Sequence, residues 1–266
     1  MHDDEVARLL DVGVAAVQDA GSIALAHFRT AMNVANKLAG TGFDPVTEAD
    51  RGVEAHVRAA IGARFPDHQV IGEEAGTTGS GPVSWIIDPT DGTRSFISGM
   101  PTWGTLLGLV VDGRPVAGVM HQPFTGETFL ADPARGSRHL GPGGRERSLQ
   151  VRATATLADA VLYSTDPSML ATAGLLDRFD TLAARVRLQR WGGDCYAFSL
   201  VAMGTIDLMV DAGLMPYDIV ALIPIIELAG GLVTDIDGNV PMAGGTVIAA
   251  ANEALHAQAV AALRGT

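Results

Sequence analysis

The sequence contains 266 residues, of which 47% are hydrophobic, and carries a formal net charge of −12. A chain of this length and apolar content can bury one substantial core, or two packed halves, without disulfides. Its acidic balance is expected to repel nucleic acids and anionic membranes, which argues against a polyanion-binding role. Cys195 is the only cysteine, so no intramolecular disulfide can form, and we expect a reducing cytoplasm.

The N-terminal sequence predicts no targeting segment. MHDDEVARLL begins with acidic residues and lacks the basic region and continuous apolar run of a signal peptide. Apolar runs such as residues 106–111 are far shorter than the roughly 20 residues of a membrane-spanning helix. We therefore expect no contact with a membrane.

The first half predicts helices followed by a sheet. Residues 5–29 and 48–64 place apolar side chains at three- and four-residue spacings, which indicates two amphipathic helices. Between them AGTGFDPVT predicts a turn or hairpin, a place well suited to functional residues. Short apolar runs then alternate with turns and predict a largely antiparallel sheet. These runs are QVIG, SWIID, TLLGLVV, RPVAGVMHQP and ETFLA.

A boundary is predicted near residue 148, because residues 133–148 are rich in Gly, Arg and Pro and lack apolar periodicity. Residues 1–148 then form an α+β half and residues 149–266 an α/β half, acting as one unit. In the second half, strand-like and helical segments alternate, which predicts a layered arrangement. Pro224 is expected to bend the predicted helix 218–229 or mark an early turn, because proline removes a backbone donor.

Four acidic residues stand where a predicted strand ends or a predicted helix begins: Glu73, Asp88, Asp91 and Asp218. A single Asp is usually a solvated surface charge. If the four converge, however, each pair of carboxylates about 4 Å apart repels by roughly 4 kcal/mol at an effective dielectric of about 20. A cation must then neutralise them. Oxygen ligands without His or Cys favour a hard ion, and Mg²⁺ is the usual one in phosphate chemistry.

The DPTDGT hexapeptide combines metal ligands with an anion-binding turn. Pro89 fixes the turn, Asp88 and Asp91 can share metal ions, and the amides of Gly92 and Thr93 can face a phosphate oxygen. The alternative is an ordinary surface turn, and the motifs on either side argue against it.

Four segments resemble, in family order, the inositol monophosphatase superfamily. They are DPVTEAD (44–50), GEE (72–74), WIIDPTDGTRSF (85–96) and PYDIVALIPIIELAGG (216–231). The resemblance implies a layered αβαβα fold and hydrolysis of a phosphate monoester by direct attack of a metal-activated water, without a phosphoenzyme. It also implies a homodimer and inhibition by Li⁺.

The same resemblance assigns metal ligands. Glu73, Asp88 and the Thr90 carbonyl are expected to hold one Mg²⁺, and Asp88, Asp91 and Asp218 a second. Glu73 also helps to hold a weaker third ion, so that two to three Mg²⁺ are implied per site. Thr90 replaces an aliphatic residue often found there, but its ligand is the backbone oxygen.

The resemblance further assigns the residues that act on water. Asp50 closes DPVTEAD at the position that, with Thr93, orients and deprotonates the attacking water, and Glu73 is counted with them as catalytic. Lys37 stands near the place of a family lysine on the preceding hairpin and is a second-tier candidate.

A narrower resemblance points to the histidinol-phosphate phosphatase branch, through GGDCYA (192–197) and PYD (216–218). Inositol-type members more often carry Trp where Tyr217 stands and a small residue in place of Asp194. L-histidinol phosphate presents an ammonium and an imidazole, with which Asp194 and Asp211 can pair. Asp211 also occupies a position where the family places a substrate-contacting acid. The alternative for Asp194 is an N-cap of the helix that follows.

Some assignments stay open. Gly92, Thr93, Arg94 and Arg190 are candidates for binding the substrate phosphate, but either arginine can instead hold Asp194 or form a surface ion pair. Three other functions remain: an inositol-phosphate or broad sugar-phosphate phosphatase, a nucleotide 3′-phosphatase, and a non-catalytic binding module. The net charge weighs against the nucleotide enzyme. The complete set of acids weighs against the binding module. The expected partner is a small phosphate monoester.

Overall fold

The computed structural model describes residues 1–31, 35–36 and 45–265. In these residues the chain forms five layers in the order helix, sheet, helix, sheet, helix. One apolar core lies between the first helices and the first sheet, a second between the two sheets, and a third under the last helices. The αβαβα architecture is therefore confirmed. Lys37 lies outside the described residues.

The first half packs two long helices on an eight-stranded sheet. Its elements are α1 (Asp3–His27), β1 (Ala35–Asn36), β2 (Pro45–Val46), α2 (Glu48–Arg64), β3 (Gln69–Gly72), β4 (Gly76–Thr78), β5 (Val83–Asp91), α3 (Thr93–Ser98), β6 (Gly104–Val111), β7 (Arg114–Gln122), β8 (Glu127–Asp132), β9 (Gly136–Gly141) and β10 (Arg145–Ser148). The strand order is β10-β9-β8-β7-β6-β5-β3-β4, and β1 pairs with β2 separately. Strands β3 and β5 run parallel, whereas the other neighbours are antiparallel, as predicted.

The second half builds a five-stranded mixed sheet. After a 3₁₀ turn (Leu157–Asp159), its elements are β11 (Val161–Ser164), α4 (Pro167–Thr172), α5 (Leu176–Ala183), β12 (Leu188–Trp191), α6 (Asp194–Ala202), β13 (Leu208–Leu214), α7 (Pro216–Ile219), α8 (Leu222–Glu227), β14 (Leu232–Asp235), β15 (Gly245–Ala250) and α9 (Glu253–Arg264). The strand order is β12-β11-β13-β15-β14. Because β11, β12 and β13 run parallel, their carboxyl ends meet at one edge of the sheet, where ligands commonly bind in such sheets.

Helix α1 is long and apolar enough, by length and composition alone, to cross a membrane. Half of its most apolar window is nevertheless buried inside the protein, where the helix packs on α2 and the first sheet. Leu10, Val17 and Ala20, for example, are fully buried. This is the pattern of a core helix in a soluble-type α+β fold.

Two glycines let the segment that joins α7 and α8 approach the first sheet. A Cβ at Gly118 would lie 2.8 Å from the carbonyl carbon of Ala221, and one at Gly108 would lie 3.0 Å from the Ala221 nitrogen. Real Cβ atoms do not show the first distance, and the second is tighter than most Cβ contacts. The close approach holds α7 and its acidic residue Asp218 against β5 and β6.

Pro224 lies in the first turn of a helix, which is one of the two expected outcomes. Helix α7 ends at Ile219, and α8 begins at Leu222, two residues before the proline. Proline has no N–H to donate to the Val220 carbonyl, so the hydrogen-bond ladder breaks there.

The segment 133–148 contains regular structure that its composition did not indicate. It forms the β9–β10 hairpin at the edge of the first sheet, and all four residues of β10 are exposed. An ion pair between Arg138 and Glu146, 2.9 Å apart, joins the two strands. Because an edge strand that is exposed on both faces has no apolar alternation, sequence periodicity could not reveal it.

Candidate active site

The site is built around the end of β5, where the strand passes directly into α3. Gly92, with φ of 80°, makes the left-handed turn between them. The Thr90 amide donates to Asp88 Oδ1 at 2.9 Å, and the Thr93 hydroxyl donates to the Thr90 carbonyl at 3.0 Å. Strand pairing with β6 is irregular between Asp88 and Asp91, so both carboxylates can leave the regular strand pattern.

Three of the predicted acids converge. Asp88, Asp91 and Asp218 each offer a carboxylate oxygen, and these oxygens lie within 4.8 Å of one another. Glu73 is held beside them, since its amide donates to the Ile87 carbonyl at 3.3 Å. A cavity of about 240 Å³ is lined by Glu73, Asp88, Thr90, Asp91, Gly92, Thr93, Met215, Tyr217 and Asp218. The structure thus brings together all five residues expected to bind metal.

The electrostatics of this cluster fit a cation. Burial raises the pKa of Asp88 well above its usual range, and the charges of Glu73, Asp91 and Asp218 raise it further. Burial also raises the pKa of Asp91, with added repulsion from Asp218 and Asp194. The donor set consists of oxygen atoms, which suits a hard divalent ion. The acidic cluster can therefore bind a metal ion.

Asp50 takes a different place from the cluster. It is 1% exposed and closes a capping box at the start of α2, where its Oδ2 accepts hydrogen bonds from the amide and the hydroxyl of Thr47. Within the part of the chain that the structure describes, Asp50 lines neither the 240 Å³ cavity nor the larger cavity described below. That Asp50 orients and deprotonates the attacking water stays a prediction. The structure shows in addition that Asp50 caps the start of α2.

A larger cavity of about 610 Å³ adjoins the acids and is lined by residues of both halves. Asp91, Gly92, Thr93 and Asp218 contribute to it from the metal side. The rest of the lining comes from the carboxyl ends of the parallel strands in the second sheet and from the helices that follow them. The lining there includes Thr165, Asp166, Met169, Gly192, Asp194, Phe198, Asp211 and Leu214.

Asp194 is the first residue of α6 and not its N-cap, which is Gly193. Its Oδ2 accepts hydrogen bonds from the Ser95 hydroxyl at 2.7 Å and the Thr102 hydroxyl at 2.6 Å. A Cβ at Gly92 would lie 2.7 Å from the Asp194 Cγ, so the DPTDGT turn needs glycine there. Asp194 therefore ties the second half of the chain to the turn that carries the acids.

The next residue in α6 makes a second link, because the Cys195 amide donates to Asp91 Oδ2 at 2.7 Å. Cys195 itself is buried, and burial raises the pKa of its thiol well above the usual range. A thiol of this kind stays protonated and is a poor nucleophile.

Asp211, on β13, is 1% exposed and fully engaged by donors. Its Oδ1 accepts from the Ser164 hydroxyl at 2.9 Å and the Thr165 amide at 2.7 Å, and its Oδ2 accepts from the Thr165 hydroxyl at 2.6 Å. Burial raises the pKa of Asp211 to about 6, although these hydrogen bonds act in the opposite direction. This carboxyl group changes charge just below neutral pH.

The two arginine candidates differ. Arg94 lines the larger cavity, and its Nη1 lies 3.6 Å from Oδ2 of Asp166, which lines the same cavity. Arg190 lies on the edge strand β12, is exposed, and is absent from the lining of the described cavities. The contact of Arg190 with substrate stays a prediction, and its exposed position also fits the alternative of a surface ion pair. Alternation along β12 turns Arg190 and Leu188 outward, while Trp191 packs on Phe179 with ring centroids 4.9 Å apart.

Sequence reasoning missed several residues that shape the site. Thr165 and Ser95 were not singled out, although Thr165 follows a predicted strand, as the acids do. Glu54 and Arg58 were also missed, and they hold the turn that carries Glu73. The available signal was their four-residue spacing after Asp50, which places all three on one face of α2.

Comparisons with known proteins cover nearly the whole chain. The model of the inositol monophosphatase family matches residues 5–265. The chain is similar to the histidinol-phosphatase of Chlorobaculum parvum, with 37% identity over 256 residues and 96% of each chain. It is also similar to the inositol-1-monophosphatase of Synechocystis sp., with 31% identity over 271 residues, which cover 97% of this chain and 89% of the relative. A solved inositol monophosphatase from Zymomonas mobilis matches with a TM-score of 0.81 and 33% identity, over 98% of this chain and 97% of that one.

Proposed function

The chain belongs to the inositol monophosphatase family, and we propose that within it the protein is a Mg²⁺-dependent histidinol-phosphatase. It is a phosphoric monoester hydrolase, the class shared by the relatives it matches. The proposed reaction converts L-histidinol phosphate and water to L-histidinol and phosphate. The observation that carries the choice of substrate is the pair of acids, Asp194 and Asp211, in the cavity beside the metal-binding cluster.

Mg²⁺ is proposed as the ion because the converging ligands are carboxylate oxygens and the proposed substrate is a phosphate. Glu73, Asp88, Asp91, Asp218 and the Thr90 carbonyl would hold two to three ions. When bound, Mg²⁺ lowers the pKa of a water and neutralises charge on the phosphoryl oxygens. The same ions relieve the repulsion that raises the pKa values of Asp88 and Asp91.

The protein groups proposed to act on water are Asp50 and Thr93, with Glu73 beside them. Thr93 lines both cavities, and its hydroxyl already donates to the Thr90 carbonyl, so its oxygen can accept a hydrogen bond from a water and orient it. Asp50 would take the proton that this water loses. Its two hydrogen bonds from Thr47 hold the carboxylate in one orientation.

The larger cavity suits a substrate with an anionic and a cationic end. Asp91, Asp218 and Arg94 line it and would receive the phosphate with the metal, and Asp194 and Asp211 line the same cavity and would receive the cation. Asp211 is ionised above a pH of about 6, and a substrate cation would stabilise its charged form. Gly92 and Thr93 also line the cavity and would offer backbone amides to the phosphate.

Hydrolysis of inositol 1-phosphate or another sugar phosphate is the second candidate. Both Asp194 and Asp211 already accept hydrogen bonds from protein donors, which leaves them with less capacity for an ammonium group. A neutral polyol has no cationic group, so its binding would not need further charge pairing with these two carboxylates. Relatives of both kinds occur at similar identity.

A phosphate-release panel decides between these substrates. L-histidinol phosphate, inositol 1-phosphate, fructose 1,6-bisphosphate and 3′-phosphoadenosine 5′-phosphate are compared by kcat/KM at one Mg²⁺ concentration. We expect the highest value for L-histidinol phosphate. A higher value for inositol 1-phosphate would replace the proposed substrate and leave the phosphatase assignment intact.

We further propose a cytoplasmic homodimer in which the two halves of each chain, 1–148 and 149–266, act as one catalytic unit. The larger cavity supports the last point, since both halves line it. Sedimentation velocity tests the dimer, and inhibition of phosphate release by Li⁺ is expected from the family resemblance.

A further inference from the structure

We propose that Glu54 is a positioning residue that fixes Glu73 for metal binding, by clamping the turn that carries it to helix α2. The inference rests on the proposed Mg²⁺ dependence of the enzyme. Glu54 is 1% exposed and lies on α2, outside the lining of the cavities described above. It acts through the backbone of the β3–β4 turn.

The carboxylate of Glu54 binds the two amides that follow Glu73. Its Oε2 accepts from the Glu74 amide at 2.7 Å, and its Oε1 accepts from the Ala75 amide at 2.9 Å. With the bond from the Glu73 amide to Ile87, three successive amides of this turn have fixed partners. A side chain that follows such a backbone loses less freedom when it binds a metal ion.

Arg58 completes the clamp and compensates the buried charge. Its Nε donates to Glu54 Oε1 at 2.7 Å. Its Nη1 donates to the Val70 carbonyl at 3.1 Å and the Thr78 hydroxyl at 3.0 Å, and its Nη2 donates to the Gly76 carbonyl. Arg58 thus holds both strands that flank the turn. A buried carboxylate is tolerated only with partners of this kind.

Gly72 makes room for the clamp. A Cβ at this position would overlap the Glu54 carboxylate and would lie 2.7 Å from Arg58 Nη2. Glycine at the end of β3 therefore leaves space for the Glu54 and Arg58 side chains of α2. It does not serve an unusual backbone angle.

The clamp also joins the turn to the start of α2. Asp50, Glu54 and Arg58 follow one another at four-residue spacing and so share one face of the helix. The proposed water-orienting residue and the support of Glu73 are then parts of one rigid element. A shift of α2 would move both.

The test uses Glu54→Gln and Gly72→Ala, with Glu48→Gln as the matched control. Glu54→Gln places an amide group against a backbone N–H, whereas Gly72→Ala displaces the same carboxylate without any change of charge. Glu48 is exposed on the same helix, so its variant removes an equal charge without touching the turn. Mg²⁺ binding is measured by calorimetric titration after thermal melting has confirmed the fold of each variant.

We expect both clamp variants to raise the Mg²⁺ dissociation constant by about 10-fold or more, as loss of a partner behind a metal ligand typically does. The Glu48→Gln value should stay within about twofold of wild type, because that charge is solvated. If either clamp variant fails to fold, the other carries the test.

A double-variant cycle separates positioning from general electrostatics. In a Glu73→Gln background, Glu54→Gln should change the Mg²⁺ affinity by less than about twofold, because the ligand it positions is already gone. Wild-type affinity in the folded clamp variants, or an undiminished effect in the Glu73→Gln background, would overturn the inference. Absence of Mg²⁺ binding by the wild-type protein would instead remove the proposed function on which it rests.

Discussion

Replacement of Asp88 by Asn should stabilise the metal-free protein at alkaline pH. The carboxylate oxygens of Asp88, Asp91 and Asp218 lie within 4.8 Å of one another. Two charges at that distance repel by about 3.5 kcal/mol at an effective dielectric of about 20. Asparagine keeps the oxygen that accepts from the Thr90 amide at 2.9 Å, so the substitution removes the charge and retains the hydrogen bond.

The size of the stabilisation depends on pH. Burial and neighbouring charges raise the pKa of Asp88 in the folded protein above its unfolded value of about 4. The folded state then retains a proton that the unfolded chain releases, so the free energy of unfolding falls as pH rises above about 4. Because neighbouring acids share this proton, we expect a net gain in Asp88→Asn of about 2 kcal/mol at pH 8, or roughly 4–8 °C in Tm.

Thermal unfolding in EDTA at pH 5 and pH 8 measures the gain. It should be large at pH 8 and shrink toward pH 5, because the raised pKa of Asp88 lets more of the folded wild type carry a proton there as pH falls. Asp159→Asn, an exposed carboxylate in the second half, controls for net charge. With saturating Mg²⁺ the order should reverse, because ligand binding stabilises the wild-type site more. An Asp88→Asn variant that is no more stable than wild type at pH 8 in EDTA would refute the reasoning.

Two further predictions concern activity. Asp91→Asn and Asp218→Asn should lose phosphate release together with Mg²⁺ affinity, whereas Asp50→Asn should lose activity with metal affinity largely retained. Equal loss of affinity in calorimetric titrations of all three would move Asp50 among the metal ligands. Asp194→Asn should cost about 2 to 5 kcal/mol in kcat/KM toward L-histidinol phosphate, since the cation loses a buried partner. The cost toward inositol 1-phosphate should be much smaller, and equal factors for both substrates would make Asp194 a structural link between Ser95 and the helix it begins.

The acids of the site were accessible to sequence analysis because they follow apolar runs. Asp88, Asp91 and Glu73 stand at strand ends, where a charged side chain after a buried run is conspicuous. Their convergence with Asp218 did not follow from local pattern, because it depends on the packing of α7 against β5 and β6. The family resemblance supplied that step.

Other features depended on tertiary contacts without a local signal. Arg190 was left open between binding the substrate and an ion pair, because the direction of a side chain on an edge strand follows from the register of the sheet and not from local sequence. Asp194 has the sequence context of an N-cap, yet the chain around Gly193 turns it toward Ser95 and Thr102. The sequence around Glu54 is typical of an exposed acid on a helix surface. In the structure the β3–β4 turn packs over its side chain and buries it.

The most direct test of the account is phosphate release from L-histidinol phosphate by protein stripped of metal with EDTA, before and after addition of Mg²⁺. We predict no release above the blank in EDTA and recovery on addition of Mg²⁺, with a kcat/KM above that for inositol 1-phosphate under the same conditions. Full release in EDTA would contradict the role of the Asp88, Asp91 and Asp218 cluster.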